Sequence, residues 1–259
     1  MFKKAFSVIV IIFSFITISE AKIILVTGAS GDIGIAIVKN FITKGDFVIC
    51  HYAHNKKDLE ELQKKYPEQV SLISSDFNKP ATIQSFWEAL LKIKDKINVV
   101  INSAGIEEED TSLEQIQKIM NINYLSPRLI CDHAIKHFKE KRIDGIIINI
   151  GSRAAYRGLP EGYYTYADSK ASLTRYTQSA ARDNANRKIS LYVVAPGPVE
   201  GKMFQGLRDD VKAQCLASMP TGQAVKVQEV VDIVDLLASG KVPSSTAGVF
   251  DLMGASWTH

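Results

Sequence analysis

Tyr166 and Lys170, in the run YADSK, stand four residues apart near the start of a segment with helical spacing, so a helix puts both side chains on one face. An ammonium beside a phenol favours the phenolate and draws its pKa down from about 10, which makes the tyrosine usable as a general acid or base. The spacing alone is not specific, because Tyr52 and Lys56 in YAHNK repeat it. That second pair falls where a strand runs into a loop, so its members need not share a face, and no other polar group gathers around it. Tyr166 has company. The run GIIINI ends in Gly151-Ser152, and Asn123 lies further upstream in MNINYLSP. Singly, Ser152 also reads as a helix or turn cap and Asn123 as a solvated polar residue. Their joint occurrence in this order is harder to set aside.

A second group could hold phosphate. TGASGDIG, Thr27 to Gly34, follows an apolar run and opens a helical segment. Gly28 allows a tight turn, the N–H groups at the helix start can receive a pyrophosphate, and Gly34 lets helix and strand approach. An ordinary glycine-rich strand-to-helix turn would look the same. The glycines can be counted as G-x-x-G-x-x-G, through Gly28, Gly31 and Gly34, or as a loop in which Asp32 takes the place of a middle glycine. A carboxylate aimed at a pyrophosphate would be repelled. Asp32 is therefore expected to turn away and satisfy N–H groups of the first helical turn, as aspartate does at helix starts, with no functional role.

Stepping outward, KIILVT, DFVICHY, QVSLIS, INVVIN, GIIINI and ISLYVVA are six β-branched-rich runs of strand length, with FDL near Phe250 as a seventh. Being continuous rather than alternating, they read as strands buried on both faces. Helical spacing fills the intervals at 34–43, 57–66, 82–94, 112–138, 164–184 and 228–238. This rhythm predicts an α/β fold: a doubly wound, mostly parallel seven-stranded Rossmann sheet with helices on both faces, in a single domain spanning 22–259. Its ligand crevice lies at the carboxyl ends of the strands.

With these motifs in sequence order, the chain from Lys22 to about Ala255 resembles the short-chain dehydrogenase/reductase family, in its compact single-domain branch. TGASGDIG is similar to the family's cofactor loop, NSAG to its NNAG motif, Asp76 in SSDF to its adenine-contacting aspartate, and APGPV to its Pro-Gly motif. The resemblance implies a catalytic set of Asn123, Ser152, Tyr166 and Lys170. In it, Tyr166 exchanges the proton with the substrate oxygen, and Lys170 binds the nicotinamide ribose and depresses the tyrosine. Ser152 bonds the carbonyl and Asn123 holds a proton-relaying water. The implied cofactor site comprises Gly28, Ser30, Gly31, Asp32, Ile33 and Gly34 of the loop. To these it adds His54 and Asn55; Asp76 and Phe77; Asn102, Ala104 and Gly105; Tyr166 and Lys170; and Pro196, Gly197 and Val199. Three positions depart from the family's pattern. Gly201 stands where a threonine usually helps hold the nicotinamide carboxamide, the stretch from Ser152 to Tyr166 is one residue longer, and Asp32 replaces the middle glycine.

NAD-specific relatives carry an acid at the end of the second strand. Here that strand runs into Tyr52-Ala53-His54-Asn55-Lys56-Lys57, basic instead, which favours a 2′-phosphate and hence NADP(H), with NAD(H) as the alternative. The lysines also read as the solvated start of a helix. The expected activity is hydride transfer between a carbonyl and a secondary alcohol, with Tyr166 as general acid/base. The rival is a nucleotide-binding sensor of the same fold without turnover, to which Gly201 and Asp32 give weight. A sugar-nucleotide epimerase is disfavoured, because the roughly sixty residues after the sixth strand leave no room for a substrate domain. They suffice for a covering segment, GKMFQGLRDDVKAQCLASMP, with a helix around Met203 to Leu216. Substrate identity is not readable. By the resemblance, the helices at 112–138 and 164–184 would pair copies into a homodimer or homotetramer.

A net charge of +3 gives no support for nucleic-acid binding, so the expected partner is a small-molecule carbonyl or alcohol. Cys50, Cys131 and Cys215 are widely spaced among apolar residues, suggesting buried free thiols and neither a disulfide nor a metal site. Residues 1–21 stand apart. Two lysines precede a charge-free apolar run over residues 5–19, and Ser19-Glu20-Ala21 has the look of a signal-peptidase site. A signal or membrane anchor is expected, with export or membrane association through residues 5–19, and a cytoplasmic protein as the alternative.

Overall fold

The β-branched runs become strands; those inside the sheet have most of their residues closed off from water, whereas the two edge strands are only partly covered. In the computed structural model, which describes residues 21–256, seven strands form one sheet: β1 (Ile23–Thr27), β2 (Phe47–Tyr52), β3 (Val70–Ser74), β4 (Val99–Asn102), β5 (Ile146–Ile150), β6 (Ser190–Pro196) and β7 (Val249–Leu252). All pairings are parallel, in the order β3-β2-β1-β4-β5-β6-β7. The expectation of a mostly parallel sheet is met by a wholly parallel one.

Side chains alternate through the sheet and build two cores. Ile24 and Val26 of β1 point to one face, where they meet Ile37 and Phe41 of α1 (Asp32–Thr43), Leu59 of α2 (Lys57–Lys65) and Val230 and Val234 of α10 (Val227–Ala238). Leu25 points to the other. There it joins Phe86 and Leu90 of α3 (Ile83–Ile93), Ile130 and Phe138 of α5 (Ser126–Lys141) and Ala181 of α7 (Tyr164–Asn184). The chain leaves β1 for β2 on one side and reaches β4 on the other, so a crevice opens at the carboxyl ends where the winding reverses.

Two predicted helices are divided. The segment at 112–138 splits into α4 (Leu113–Met120), a π-helical turn over Asn121–Leu125, and α5. Ser112 caps α4, its hydroxyl accepting from the Gln115 N–H at 3.2 Å. The covering segment forms α8 (Lys202–Gln205) and α9 (Asp209–Ala217), not one helix, because Arg208 is extended (φ −57°, ψ 148°) and its guanidinium binds Asp210 and Glu109, both at 3.1 Å. A one-turn helix, α6 (Ala154–Arg157), follows β5. All three thiols are free and buried. The expected signal or anchor, residues 1–21, lies outside the described residues except for Ala21; among those described, no helix is long and apolar enough to cross a membrane.

Candidate active site

The crevice has a volume of about 700 Å³ and runs from the end of β2, past the glycine loop, to the covering segment. Its floor requires glycine twice. Gly28 has φ +63°, and a Cβ there would lie 2.6 Å from Ala104 Cα. A Cβ on Gly34 would lie 2.2 Å from the Gly28 carbonyl oxygen. Thr27 Oγ1 accepts from the Ser103 and Ala104 N–H groups, both at 3.2 Å, binding the loop to the segment after β4. Asp32, Ile33 and Gly34 line the crevice, and N–H groups opening a helix have no intrahelical acceptor. A bare backbone cradle beneath so deep a cleft fits the pyrophosphate of a dinucleotide.

The other expected cofactor residues divide by position. Ser30, Gly31, His54, Asn55, Asp76, Phe77, Ala104, Gly105, Pro196, Gly197 and Val199 line the crevice. Asn102 does not. It is buried behind the wall, where its Nδ2 donates to Asn149 Oδ1 at 2.8 Å and Asn149 in turn donates to Thr177 Oγ1 at 2.8 Å, a chain that ties β4 to β5 and α7. Lys56 pairs with Glu60 at 2.8 Å and, like Lys57, lies off the crevice wall.

Tyr166 and Lys170 share a face of α7 as their spacing requires, both buried and both facing the crevice, with Ser152 at the end of β5 beside them. Asn123 sits in the π-helical turn, fully buried. Its amide clamps Ile106, accepting from the N–H and donating to the carbonyl, each at 2.9 Å, and also donates to Ser169 Oγ at 3.2 Å. It braces the loop after β4 from behind the crevice wall.

The electrostatics differ from expectation. Burial pushes the Tyr166 phenol up, the Glu107 carboxylate adds to the rise, and the Ser152 hydroxyl pulls the other way. The Lys170 ammonium donates to the Ile150 carbonyl at 2.9 Å, and burial lowers its pKa to about 8. Glu107 is a crevice residue that sequence reasoning missed, hidden in the charge run EEED, which reads as a solvated turn. Burial raises its carboxyl to about 7 against the opposing pull of Lys170 and Arg153. Arg153, directly after Ser152, is buried in the same wall and donates to the Cys215 carbonyl at 3.1 Å. His51 was also missed. Its Nδ1 accepts from the Gly28 N–H at 3.2 Å and its Nε2 reaches the Ser75 carbonyl at 3.0 Å, so the ring is neutral with the proton on Nε2. It stacks on Phe77 at 3.9 Å.

Asp32 corrects a prediction. It turns from the loop but caps nothing in the first turn of α1; its Oδ2 accepts from the Lys202 backbone N–H at 2.6 Å.

A reversed parallel winding with a glycine turn at its crevice and a buried Tyr–Lys pair beside it falls within the doubly wound, dinucleotide-dependent class. Residues 22–212 match the short chain dehydrogenase family, and the chain belongs to that family. It is 31% identical to the 3-oxoacyl-(acyl-carrier-protein) reductase FabG of Salmonella typhimurium over 92% of its own length and 98% of the relative's. The Escherichia coli enzyme of the same name is equally similar, at 31% over 92% and 98%. Among solved structures, a dehydrogenase/reductase from Sinorhizobium meliloti 1021 superposes with a TM-score of 0.81 at 25% identity, covering 93% of this chain and 97% of that one. The protein is thus an NAD(P)-dependent oxidoreductase.

Proposed function

We propose that the protein is an NADP(H)-dependent carbonyl reductase whose general acid is Tyr166. The observation that carries this reading is the gathering of Tyr166, Lys170 and Ser152 on one wall of a crevice floored by the Gly28–Gly34 cradle. When bound, NADPH supplies the hydride at its nicotinamide ring. Ser152 orients the carbonyl, and Tyr166, protonated at neutral pH, donates the proton that completes the alcohol. Lys170 stands ready to move from the Ile150 carbonyl to the nicotinamide ribose, and Asn123 supports the wall behind both. For NADPH over NADH speaks the end of β2, where Ala53, His54 and Asn55 line the crevice without an acid.

Relatives carrying the name 3-oxoacyl-(acyl-carrier-protein) reductase make a 3-oxoacyl thioester the first carbonyl to try. NADPH consumption with that substrate is expected, lost by at least about a hundredfold in Tyr166→Phe, the usual range for removing a general acid. A nucleotide sensor without turnover is the second reading, favoured by the Asp32 carboxylate on the phosphate side of the crevice. Tight NADPH binding with no oxidation across a panel of ketones, aldehydes and thioesters would establish it. We further infer a homodimer or homotetramer built on α4, α5 and α7.

A further inference from the structure

Asp32 opens α1 and is the one acidic residue of its first turn, the position where a carboxylate ordinarily serves its own helix. It serves another instead. Its Oδ2 accepts from the N–H of Lys202, which begins α8 and would otherwise lack a partner, 170 residues along the chain. Gly201 makes this contact feasible. A Cβ at 201 would lie 2.5 Å from Asp32 Oδ2, 3.2 Å from its Cγ and 3.3 Å from its Cβ. The backbone at Gly201 is fully extended (φ 164°, ψ −178°), which any residue adopts, so it is the Asp32 side chain and not the backbone that demands a glycine there. Two of the three departures noted in the sequence, Asp32 and Gly201, are one feature: the carboxylate from the loop occupies the space that a side chain at 201 would fill. Both residues line the crevice, and among the described residues no cation lies within ion-pairing distance of Asp32.

We propose that Asp32 is a positioning residue that fastens the covering segment, from Lys202 through α9, to the glycine loop, so that the order of the segment over the substrate depends on a contact made beside the phosphate cradle. The fastening itself needs no cofactor. Its effect on NADPH rests on reading the crevice as the dinucleotide site. An unpaired carboxylate beside a pyrophosphate opposes binding, so the same residue that orders the segment weakens the grip on cofactor.

Hydrogen–deuterium exchange on the full chain, with NADPH titrated by its fluorescence, separates these effects. Asp32→Ala removes both oxygens and is expected to speed exchange across 202–217 by about tenfold, the scale of one charge-assisted hydrogen bond, leaving the sheet unchanged. Asp32→Asn keeps an acceptor and loses the charge; its exchange should stay within about twofold of the parent while NADPH binds about tenfold tighter. Gly201→Ala, which leaves residue 32 untouched but displaces its carboxylate, should loosen 202–217 as Asp32→Ala does, and adding Asp32→Gly to it should loosen the segment no further. Unchanged exchange in both Asp32→Ala and Gly201→Ala would overturn the proposal, as would an Asp32→Asn segment as loose as that of Asp32→Ala. If no form binds NADPH, the dinucleotide reading fails while the exchange data still decide the fastening.

Discussion

Glu107 is a carboxylate on the crevice wall that bears on both Tyr166 and Lys170. Its carboxyl, raised from 4.5 to about 7, shares the crevice with Lys170 and Arg153 and bears on Tyr166, Tyr163 and Cys215. Between those two pH values the folded chain holds a proton that the unfolded chain has released, so this group subtracts stability as pH rises from 4.5 to 7. Glu107→Gln is expected to gain melting temperature over the parent above pH 7 and to match it near pH 4. It should also remove an ionisation near pH 7 from the profile of kcat/KM. The places of Tyr166, Lys170 and Ser152 on the crevice wall were legible because residue type and spacing on elements of known period put them there. Glu107 and Arg153 were not, because nothing local distinguishes a carboxylate in EEED that turns inward, or an arginine after Ser152, from its solvated neighbours. Asp32 was legible as an anomaly, yet its partner lies 170 residues away and only the fold brings the two together.

At the level of elements, the loop between β1 and α1 is held from three sides: by Thr27 to the segment after β4, by the close approach at Gly34, and by His51 of β2. Gly34→Ala would drive a methyl into the Gly28 carbonyl. Loss of NADPH binding in fluorescence titration, with the sheet's circular dichroism retained, is the expected outcome. Burial lowers His51 from 6.5 to about 4, so the unfolded chain takes up a proton before the folded one does, and stability is lost as pH falls through that window. The slope is opposite to that from Glu107. Melting curves of His51→Gln between pH 6.5 and 4 should be flatter than those of the parent, whereas those of Glu107→Gln should be steeper. Strands and long helices were readable, since buried parallel strands and amphipathic faces leave periodic marks. The π-helical turn at Asn123 and the break at Arg208 were not, because each answers to a tertiary partner: Ile106 in one case, Glu109 in the other.

For the molecule as a whole, the sheet order opens one crevice, with the glycine loop on the β1–β2 side and the wall of Ser152, Tyr166 and Lys170 at β5 and α7. Leu113 and Ile116 of α4 and Tyr164 at the start of α7 are large apolar side chains left open to solvent, on the helices expected to join copies. Light scattering is expected to give a dimer or tetramer, and Leu113→Glu with Ile116→Glu to lower that mass without altering the monomer's spectrum; an unchanged mass would locate the interface elsewhere. The three thiols add a timing device. Cys50 in β2 and Cys131 in α5 are pushed up to about 12 and Cys215 in α9 is raised as well, so each reacts with an alkylating reagent only when its surroundings open and a thiolate can form. Two of them lie in the sheet and its helical layer, the third in the segment fastened by Asp32. The order in which mass spectrometry finds them modified therefore clocks how the molecule comes apart: Cys215 first, at a rate set by the covering segment, with Cys50 and Cys131 following together when the sheet unfolds.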